Sequence, residues 1–303
     1  MVSFEEFQRK RNKEYYTTRG LDFLKDFKTF AADKYFAQAI AKDLYSKITK
    51  RGTINIYEMG VGTGTLFISI MLSLRKIDPS FTERIVYHLC DISETLVKNA
   101  VKRGDAFGFN VDGIVYEGLP NFVKSADYIL SNELYSDLPA RILTRKGEKI
   151  YELHIENEQN ILKELKENGE IKKYMSQMPD GYLIPINEFA KRHLQYCVKG
   201  LAPKGFIDIF DYGFDSPDKI TELYPEQWNN AIYRDYGGQI TTDLNFHYLA
   251  IDLNATIEPQ KDFVERVLNE RFEEDLDSMR YRICKKKTDI LEESDFYHMR
   301  VKK

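Results

Sequence analysis

The chain has 303 residues, enough for one large domain or for a core domain that carries an elaboration. Charged residues make up 30% and hydrophobic residues 43%, as in soluble globular proteins, and the net charge of -4 comes without a basic stripe that would suit nucleic acid. The three cysteines, Cys90, Cys197 and Cys284, are far apart and lack C-x-x-C spacing, so we predict neither a disulfide framework nor a metal site.

The start of the sequence and its longest apolar run favour a cytoplasmic protein. Residues 1–7 contain no apolar signal region, and they are not Arg/Ser-rich and acid-poor like an organelle transit peptide. The apolar run at residues 66–74 is far too short to span a bilayer. The cysteine pattern fits a reducing compartment. We therefore expect no membrane insertion.

Residues 1–30 are polar and aromatic, and a helix is predicted from Ala31 onwards. The apolar residues Phe36, Ile40, Leu44 and Ile48 recur at four-residue spacing, as on one face of an amphipathic helix.

Residues 54–66 predict a strand, a tight glycine turn and a helix. An apolar, β-prone run meets Glu58, an apolar helical stretch begins at Leu66, and between them stand three alternate glycines, Gly60, Gly62 and Gly64. This G-x-G-x-G spacing is neither a P-loop, which needs Gly-Lys-Ser/Thr, nor the G-x-G-x-x-G dinucleotide fingerprint. It resembles motif I of the Rossmann-like S-adenosylmethionine (SAM) methyltransferases. A carboxylate suits the sulfonium and α-ammonium of SAM; the alternative is a tight turn that binds nothing.

A second strand, residues 85–90, ends at Asp91, and a helix follows from about Glu94 to Arg103, with Ser93 as its expected N-cap. Ligands of open α/β sheets lie outside the carboxyl ends of the strands. Asp91 is therefore the candidate for hydrogen bonds to ribose hydroxyls. The alternative is that Asp91 only caps the following helix.

Polar residues also follow the later predicted strands. The third strand is expected at residues 113–116, and the fourth, residues 126–131, leads into Asn132 and Glu133, where catalytic groups of this fold class gather. The fifth strand, residues 205–210, ends at Asp211.

The strand and helix pattern breaks at residues 145–180, where charged residues dominate. We interpret this stretch as a helix and hairpin insertion over the strand ends; a solvated surface excursion is the alternative. A helical pattern resumes at residues 182–201, and residues 214–245 are rich in loops. A strand at 248–257, a helix at 261–271 and an alternating piece at 281–284 follow. Strands that alternate with helices predict an α/β protein whose mostly parallel sheet has helices on both faces.

Several separate stretches together resemble the MidA family of SAM-dependent methyltransferases, which includes a mitochondrial protein arginine methyltransferase that acts in complex I assembly. The matching stretches occur in the family's order: Asp26-Phe27-Lys28-Thr29, the helix from Phe36 to Tyr45, the turn from Glu58 to Leu66, Asn132-Glu133-Leu134, Asp137-Leu138-Pro139, Asp211-Tyr212-Gly213, Asp243-Leu244-Asn245-Phe246, and Gln260 with Phe263. In three places the chain departs from the family: Lys25 replaces a glycine, one residue is missing beside Asp137, and residues 239–246 lack one acidic residue of the family's stretch.

The resemblance implies a Rossmann-like methyltransferase core with a seven-stranded sheet and inserted substrate-side elements. Residues 1–30 would close over the cofactor, residues 31–144 would form the SAM-binding half, residues 145–180 would be the insertion, and residues 181–303 would complete the core. SAM would contact Asp26, Glu58, Gly60, Gly62, Gly64, Asp91 and Asn132.

The methyl acceptor implied by the resemblance is an arginine of a partner protein. Glu133 would hold the guanidinium and take its proton, Asn132 would orient substrate or SAM, and Asp211 would line the acceptor side. A small-molecule methyltransferase and a SAM-binding assembly factor with weak or no catalysis remain as alternatives. An NAD enzyme is disfavoured by the glycine spacing.

Overall fold

A computed structural model describes the protein over residues 1–19, 28–49, 52–166, 169–225, 232–284 and 294–303. The helices in these residues are α1 (Phe4–Arg19), α2 (Lys34–Lys47), α3 (Thr65–Ile77), α4 (Pro79–Thr82), α5 (Glu94–Ala106), α6 (Glu170–Met175), α7 (Glu188–Gly200), α8 (Pro217–Leu223), α9 (Phe246–Ala250) and α10 (Gln260–Leu268). A short 3-10 helix covers Phe30–Ala32. None of these helices combines the length and apolar character needed to cross a membrane.

The strands are numbered in the same way. Within the described residues they are β1 (Val2–Ser3), β2 (Ile54–Met59), β3 (Ile85–Asp91), β4 (Val111–Val115), β5 (Ala126–Asn132), β6 (Arg141–Lys146), β7 (Lys149–Glu156), β8 (Gln159–Leu165), β9 (Leu183–Ile186), β10 (Leu201–Phe214), β11 (Tyr233–Tyr236), β12 (Gln239–Thr242), β13 (Leu244–Asn245), β14 (Ala255–Pro259), β15 (Phe272–Asp275), β16 (Arg280–Ile283) and β17 (Phe296–Lys302).

The main sheet is mostly parallel, which confirms the predicted α/β fold. Seven strands follow one another in the order β14-β17-β10-β5-β2-β3-β4, and the two-residue strand β13 pairs with β10. The sheet thus has eight strands in the described part of the chain, against the seven expected. Among the described strands of this sheet, β17 alone runs in the direction opposite to all the others. The carboxyl ends of β2, β3, β5 and β10 therefore share one edge.

Alternating side chains of the sheet feed two apolar clusters, one on each face. Ile56 of β2 packs in a cluster with α2 and α3, whereas Tyr57 packs in a cluster with α7 and α9. The sequence of each helix explains where it begins and which of its faces packs on the sheet, as α2 shows. Helix α2 begins where Asp33 accepts hydrogen bonds from the backbone N–H groups of Tyr35 and Phe36, both at 2.8 Å, and its apolar stripe then faces the sheet.

A second sheet lies beside the main one and is entirely antiparallel. Its strands follow the order β1-β7-β6-β9, and β8 pairs with β7. Residues 145–180, predicted as a helix and hairpin, contain the hairpin of β7 and β8 and the helix α6. Helix α1 packs on this sheet through Phe4, which joins Ile142 and Leu153 in an apolar cluster.

Sequence patterns missed or misplaced several elements, including α8, β11 and β12 in the stretch expected to be rich in loops, and four further cases follow. Helix α1 was not predicted, because its buried stripe contains the amides Gln8 and Asn12 among aromatic residues. Residues 183–186 were expected to be helical but form β9, whose four residues are all buried, so that no alternation marks a strand. The predicted strand at 248–257 begins as α9 and becomes β14 only at Ala255.

The fourth case concerns the last strand of the main sheet. This strand, β17, was not predicted; the alternating piece near residues 281–284 belongs to the small hairpin of β15 and β16. In β17 the polar His298 and Arg300 are buried, because they pair with the buried Asp208 of β10. A buried strand with ionic residues inside does not show an apolar pattern.

Candidate active site

A cavity of about 320 Å³ lies at the carboxyl ends of β2, β3 and β5. Its walls include the glycine turn after β2, Asp91 at the end of β3, and Asn132 and Glu133 after β5. Helix α1 covers part of it, with Arg9, Asn12, Lys13 and Tyr16 at the wall. The cavity therefore lies where open α/β sheets bind their ligands.

The glycines of the turn allow close contacts with neighbouring side chains. Gly60 has φ of +73°, and a Cβ there would lie 3.1 Å from the Leu134 side chain. Gly64 has φ of +71°, and its Cβ would lie 2.9 Å from Ala100 Cβ, so this glycine allows α3 to pack against α5. Gly60 and Gly62 line the cavity, and Gly64 is not among the residues that line it.

Glu58 is a buried carboxyl beside this turn. Its side chain lines the cavity, the residue is only 3% exposed, and Tyr87 Oη donates a hydrogen bond of 2.6 Å to Oε2. Burial raises the pKa of Glu58 to about 8, and the charge of Asp91 acts in the same direction. A bound cation near Glu58 would favour the ionised form.

Asp91 contacts the glycine turn and the start of the helix that follows β3. Its Oδ2 accepts a hydrogen bond from Gly62 N at 3.0 Å, and its Oδ1 accepts one from Ser93 N at 3.0 Å. Asp91 thus ties the glycine turn to the start of α5 and also lines the cavity. Burial raises its pKa. Ser93 occupies the N-cap position as predicted, but its side chain makes no capping hydrogen bond.

Glu133 and Asn132 lie together at the end of β5. Thr29 Oγ1 donates a hydrogen bond of 2.5 Å to Glu133 Oε1, and Asn132 Nδ2 donates one of 3.1 Å to the same oxygen. Burial raises the pKa of Glu133 to about 7, although these two donors oppose the shift. Such a carboxyl can exchange a proton near neutral pH.

A second carboxyl, Asp137, lines the cavity four residues further along. Tyr16 Oη donates a hydrogen bond of 2.5 Å to Oδ2, and Gln239 Nε2 donates one of 2.5 Å to Oδ1. Burial raises the pKa of Asp137 to about 6. In the sequence Asp137 is only part of a matching stretch, Gln239 only begins a stretch that departs from the family, and Tyr16 carries no signal. The buried polar stripe of α1 is the pattern that would have pointed to Tyr16.

Asp211, expected to be catalytic, is not among the residues that line the cavity. It is fully buried, and it accepts hydrogen bonds of 3.0 Å from the backbone N–H groups of Ser136 and Tyr212. Its carboxylate therefore holds the loop that presents Glu133 and Asp137. Asp26, expected at the cofactor, lies outside the described residues.

The cavity suits an adenosyl cofactor with a cationic amino-acid part. It combines a glycine cradle, the carboxyls of Glu58 and Asp91, and an acceptor atom in need of a donor. Asn132 Oδ1 is buried and has no hydrogen-bond partner among the described residues, which is costly unless a ligand supplies one. We find no cluster of His, Cys, Asp and Glu in the described part of the chain that could hold a metal ion.

The chain is similar to known proteins both in structure and in sequence. Two crystal structures from Burkholderia thailandensis, both of members of one superfamily, match all of it. The first contains bound S-adenosyl-homocysteine and shares 17% sequence identity with the chain, with a TM-score of 0.72. The match covers 88% of the length of that protein. The second is a native structure with 15% identity and a TM-score of 0.68, covered over 87% of its length. These likenesses show the fold.

No curated protein matches the chain. A family model does match, over residues 37–259, which is more than half of the chain, and it is described as "Putative S-adenosyl-L-methionine-dependent methyltransferase". The matched range includes the glycine turn, Asp91, Asn132 and Glu133 at the cavity. With this match and this site, the chain belongs to that family of SAM-dependent methyltransferases.

Proposed function

We propose that this methyltransferase acts on an arginine side chain of a partner protein, as its resemblance to the MidA family implies. The observation that supports this most is the position of Glu133. It is a half-buried carboxyl at the end of β5, with a pKa of about 7, in the same cavity as the glycine turn. No basic patch in the sequence suggests nucleic acid as the acceptor.

The cofactor half of the cavity is formed by residues that follow β2 and β3. When bound, SAM supplies a methyl group that its sulfonium makes electrophilic. Gly60 and Gly62 would let a ligand approach the backbone, and Glu58 would pair with the α-ammonium. Asp91 would accept hydrogen bonds from ribose hydroxyls, and Asn132 Oδ1 would accept one from a ligand N–H.

The obstacle to methyl transfer at the acceptor half is that the guanidinium of arginine stays protonated at neutral pH, because its pKa lies above about 12. A carboxylate can hold the planar guanidinium and localise its positive charge away from the attacking nitrogen. Glu133 then takes the proton that the nitrogen loses. Its pKa of about 7 allows it to return this proton to solvent at neutral pH. Orientation of the bound acceptor against the methyl group would supply the rest of the rate enhancement.

Glu133→Gln tests this role. The substitution keeps the size and the hydrogen bonds from Thr29 and Asn132, but it removes the charge and the base. We expect turnover to fall by at least about 100-fold, the usual contribution of a general base, with SAM affinity nearly unchanged. Transfer is measured with labelled SAM, and Glu14→Gln on the exposed side of α1 is the matched control. Wild-type turnover in Glu133→Gln would contradict the proposal.

The same labelled SAM, incubated with the protein and a cell lysate, separates the acceptor classes. Label on one polypeptide, at arginine, supports the proposal. Label on small solutes would indicate a small-molecule methyltransferase, and no label at all would indicate a SAM-binding assembly factor. Fractionation of cells would test the proposed cytoplasmic location.

A further inference from the structure

Asp137 is held by neutral donors from two distant parts of the chain. Tyr16 comes from α1, and Gln239 comes from β12. Gln239 Nε2 also donates to Tyr16 Oη at 3.2 Å, so the three side chains form one hydrogen-bonded group. The residue is 9% exposed and its side chain lines the cavity. A carboxylate with neutral donors keeps its negative charge uncompensated, and this charge is available to a cation in the cavity.

The backbone around Asp137 does not depend on this side chain. Ser136 N donates a hydrogen bond to Asp211 Oδ2, and Asn12 Nδ2 donates one of 2.8 Å to the Asp137 carbonyl oxygen. Ala140 N donates one of 2.9 Å to Gln8 Oε1. The loop is thus fixed by its main chain. The Asp137 carboxylate is therefore not needed to hold this loop; it joins α1 to β12 through Tyr16 and Gln239 and still faces the cavity.

From this geometry we infer that Asp137 is a second acceptor-binding carboxylate, beside Glu133, and that Tyr16 is its positioning residue. The inference rests on the proposed function and specifies the acceptor site: a guanidinium between two carboxylates. The acceptor nitrogen gains a bond to the methyl carbon, and the bond from that carbon to sulfur breaks and leaves its electron pair on sulfur. The nitrogen loses a proton to Glu133. Asp137 stays ionised and balances the charge of the guanidinium.

Other titratable groups act on Asp137. Glu133 on the same loop, Asp211 and Tyr212 of β10, and Tyr16 of α1 all couple to it electrostatically. The hydrogen bond from Tyr16 lowers the pKa of Asp137, whereas burial raises it. Removal of the Tyr16 hydroxyl should therefore raise this pKa further. Binding of a cation to the ionised carboxylate should then require a higher pH.

The test uses the full-length protein saturated with S-adenosylhomocysteine and measures binding of N-acetyl-arginine amide by NMR titration. Asp137→Asn should weaken this binding by about ten- to a hundredfold, as expected for loss of a hydrogen bond between charged groups. Asp105→Asn removes the same charge from an exposed position on α5, outside the cavity, and should leave binding unchanged.

Tyr16→Phe provides the second measurement. At high pH the affinity of this variant for the arginine amide should be near that of the wild type. As the pH falls the affinity decreases, and the pH at which half of it is lost should be higher in Tyr16→Phe than in the wild type. A structural role alone would not move this midpoint. If Asp137→Asn does not fold, the midpoint in Tyr16→Phe decides: an unshifted value overturns the inference.

Failure of the inference and failure of the proposed function differ in this experiment. If the wild type binds the arginine amide, Glu133→Gln weakens it and Asp137→Asn does not, only the second carboxylate is wrong. If the wild type binds S-adenosylhomocysteine but no arginine amide, the arginine acceptor is wrong.

Discussion

Glu133 has φ of +51°, in the left-handed region that side chains with a Cβ rarely adopt. Its backbone N–H donates a hydrogen bond of 2.8 Å to the carbonyl oxygen of Phe210, which holds this conformation against β10. Non-glycine residues with such strain occur at functional sites, where the surrounding structure maintains them. We therefore expect the backbone conformation that places this carboxyl in the cavity to lower the stability of the protein.

A comparison of Glu133→Gly with Glu133→Ala measures the strain. Both variants lose the carboxyl and its hydrogen bond with Thr29, and both should lose transfer activity. Glycine adopts positive φ without steric strain, and this gain exceeds its larger loss of conformational entropy on folding, so Glu133→Gly should be more stable than Glu133→Ala by about 1 kcal/mol. Urea denaturation gives the two free energies of unfolding. Equal values would show that the backbone is unstrained.

Glu58 predicts a pH dependence of cofactor binding. Without a ligand its pKa is about 8, so its carboxyl is mostly protonated at neutral pH. A ligand ammonium pairs only with the ionised form, and the affinity for S-adenosylhomocysteine should therefore rise between about pH 6 and about pH 8. Calorimetry over this range measures it. Glu58→Gln should bind more weakly and lose most of this dependence; the same slope in the variant would refute the assignment.

Among the elements, α1 connects the loop at residues 136–140 with the second sheet and with the hairpin of β11 and β12. Gln8 and Asn12 are buried one turn apart, and each forms three hydrogen bonds to backbone groups of residues 136–140 or of β12. Buried amides that pair with main-chain groups fix orientation, because an unpaired group would be costly. Helix α1 is thus joined to the loop that carries Asp137.

Asn12→Ala should loosen this connection. It leaves Ile240 N and two carbonyl oxygens without their partner, and we expect a loss of about 1–3 kcal/mol in the free energy of unfolding. Hydrogen exchange should also show faster opening of α1. Lys10→Ala, an exposed site on the same helix, is the control. If both variants unfold at the same denaturant concentration, α1 is not held by these bonds.

At the scale of the whole molecule, a buried ionic network connects β10 and β17 with α2 and β14. Arg300 donates two hydrogen bonds to Asp208, at 2.6 and 2.5 Å, and one of 2.6 Å to Asp43. His298 lies between Asp208, at 2.9 Å, and Glu258, at 3.0 Å. Burial alone would lower the pKa of His298, but these two carboxylates raise it overall. The network joins the antiparallel last strand to the parallel part of the sheet.

The free energy of unfolding should decrease as the pH rises from about 5 to about 8. The pKa values of Glu58, Glu133 and His298 are all raised in the folded protein. Groups with a raised folded pKa bind protons more tightly than in the unfolded chain, so their stabilisation is lost as the pH rises through the folded pKa. Urea denaturation across this range measures the decrease, and His298→Gln should make it smaller.

At acid pH the dependence has the opposite sign, and the free energy of unfolding should rise with pH. The pKa of Glu258 is lowered to about 2, because hydrogen bonds from His298 and Arg266 outweigh the effect of burial. The stabilisation from this carboxylate is present above its unfolded pKa and is lost as the pH falls through its folded pKa. We therefore expect a stability maximum at mildly acidic pH. A maximum above about pH 8 would contradict the raised pKa values of the cavity carboxyls.

The cofactor side of the site could be predicted from local sequence, and the acceptor side could not. Gly60, Gly62 and Asp91 follow strands with clear apolar patterns, and each lines the cavity. Asp211 also follows a strand, but its side chain turns to the backbone of Ser136. A polar residue at a strand end can face either the cavity or a loop, and the sequence does not distinguish the two.

The sequence by itself determined the α/β class, the glycine turn and the polar residues at the ends of β2, β3 and β5, because these depend on short-range periodicity and on backbone conformation near glycine. Only the tertiary structure decided that α1 covers the cavity, that Tyr16 and Gln239 meet at Asp137, and that a strand with His298 and Arg300 belongs inside the sheet. These features come from buried polar partners far apart in the chain. Each partner alone has the composition of a surface residue, and burial becomes favourable only when both are present.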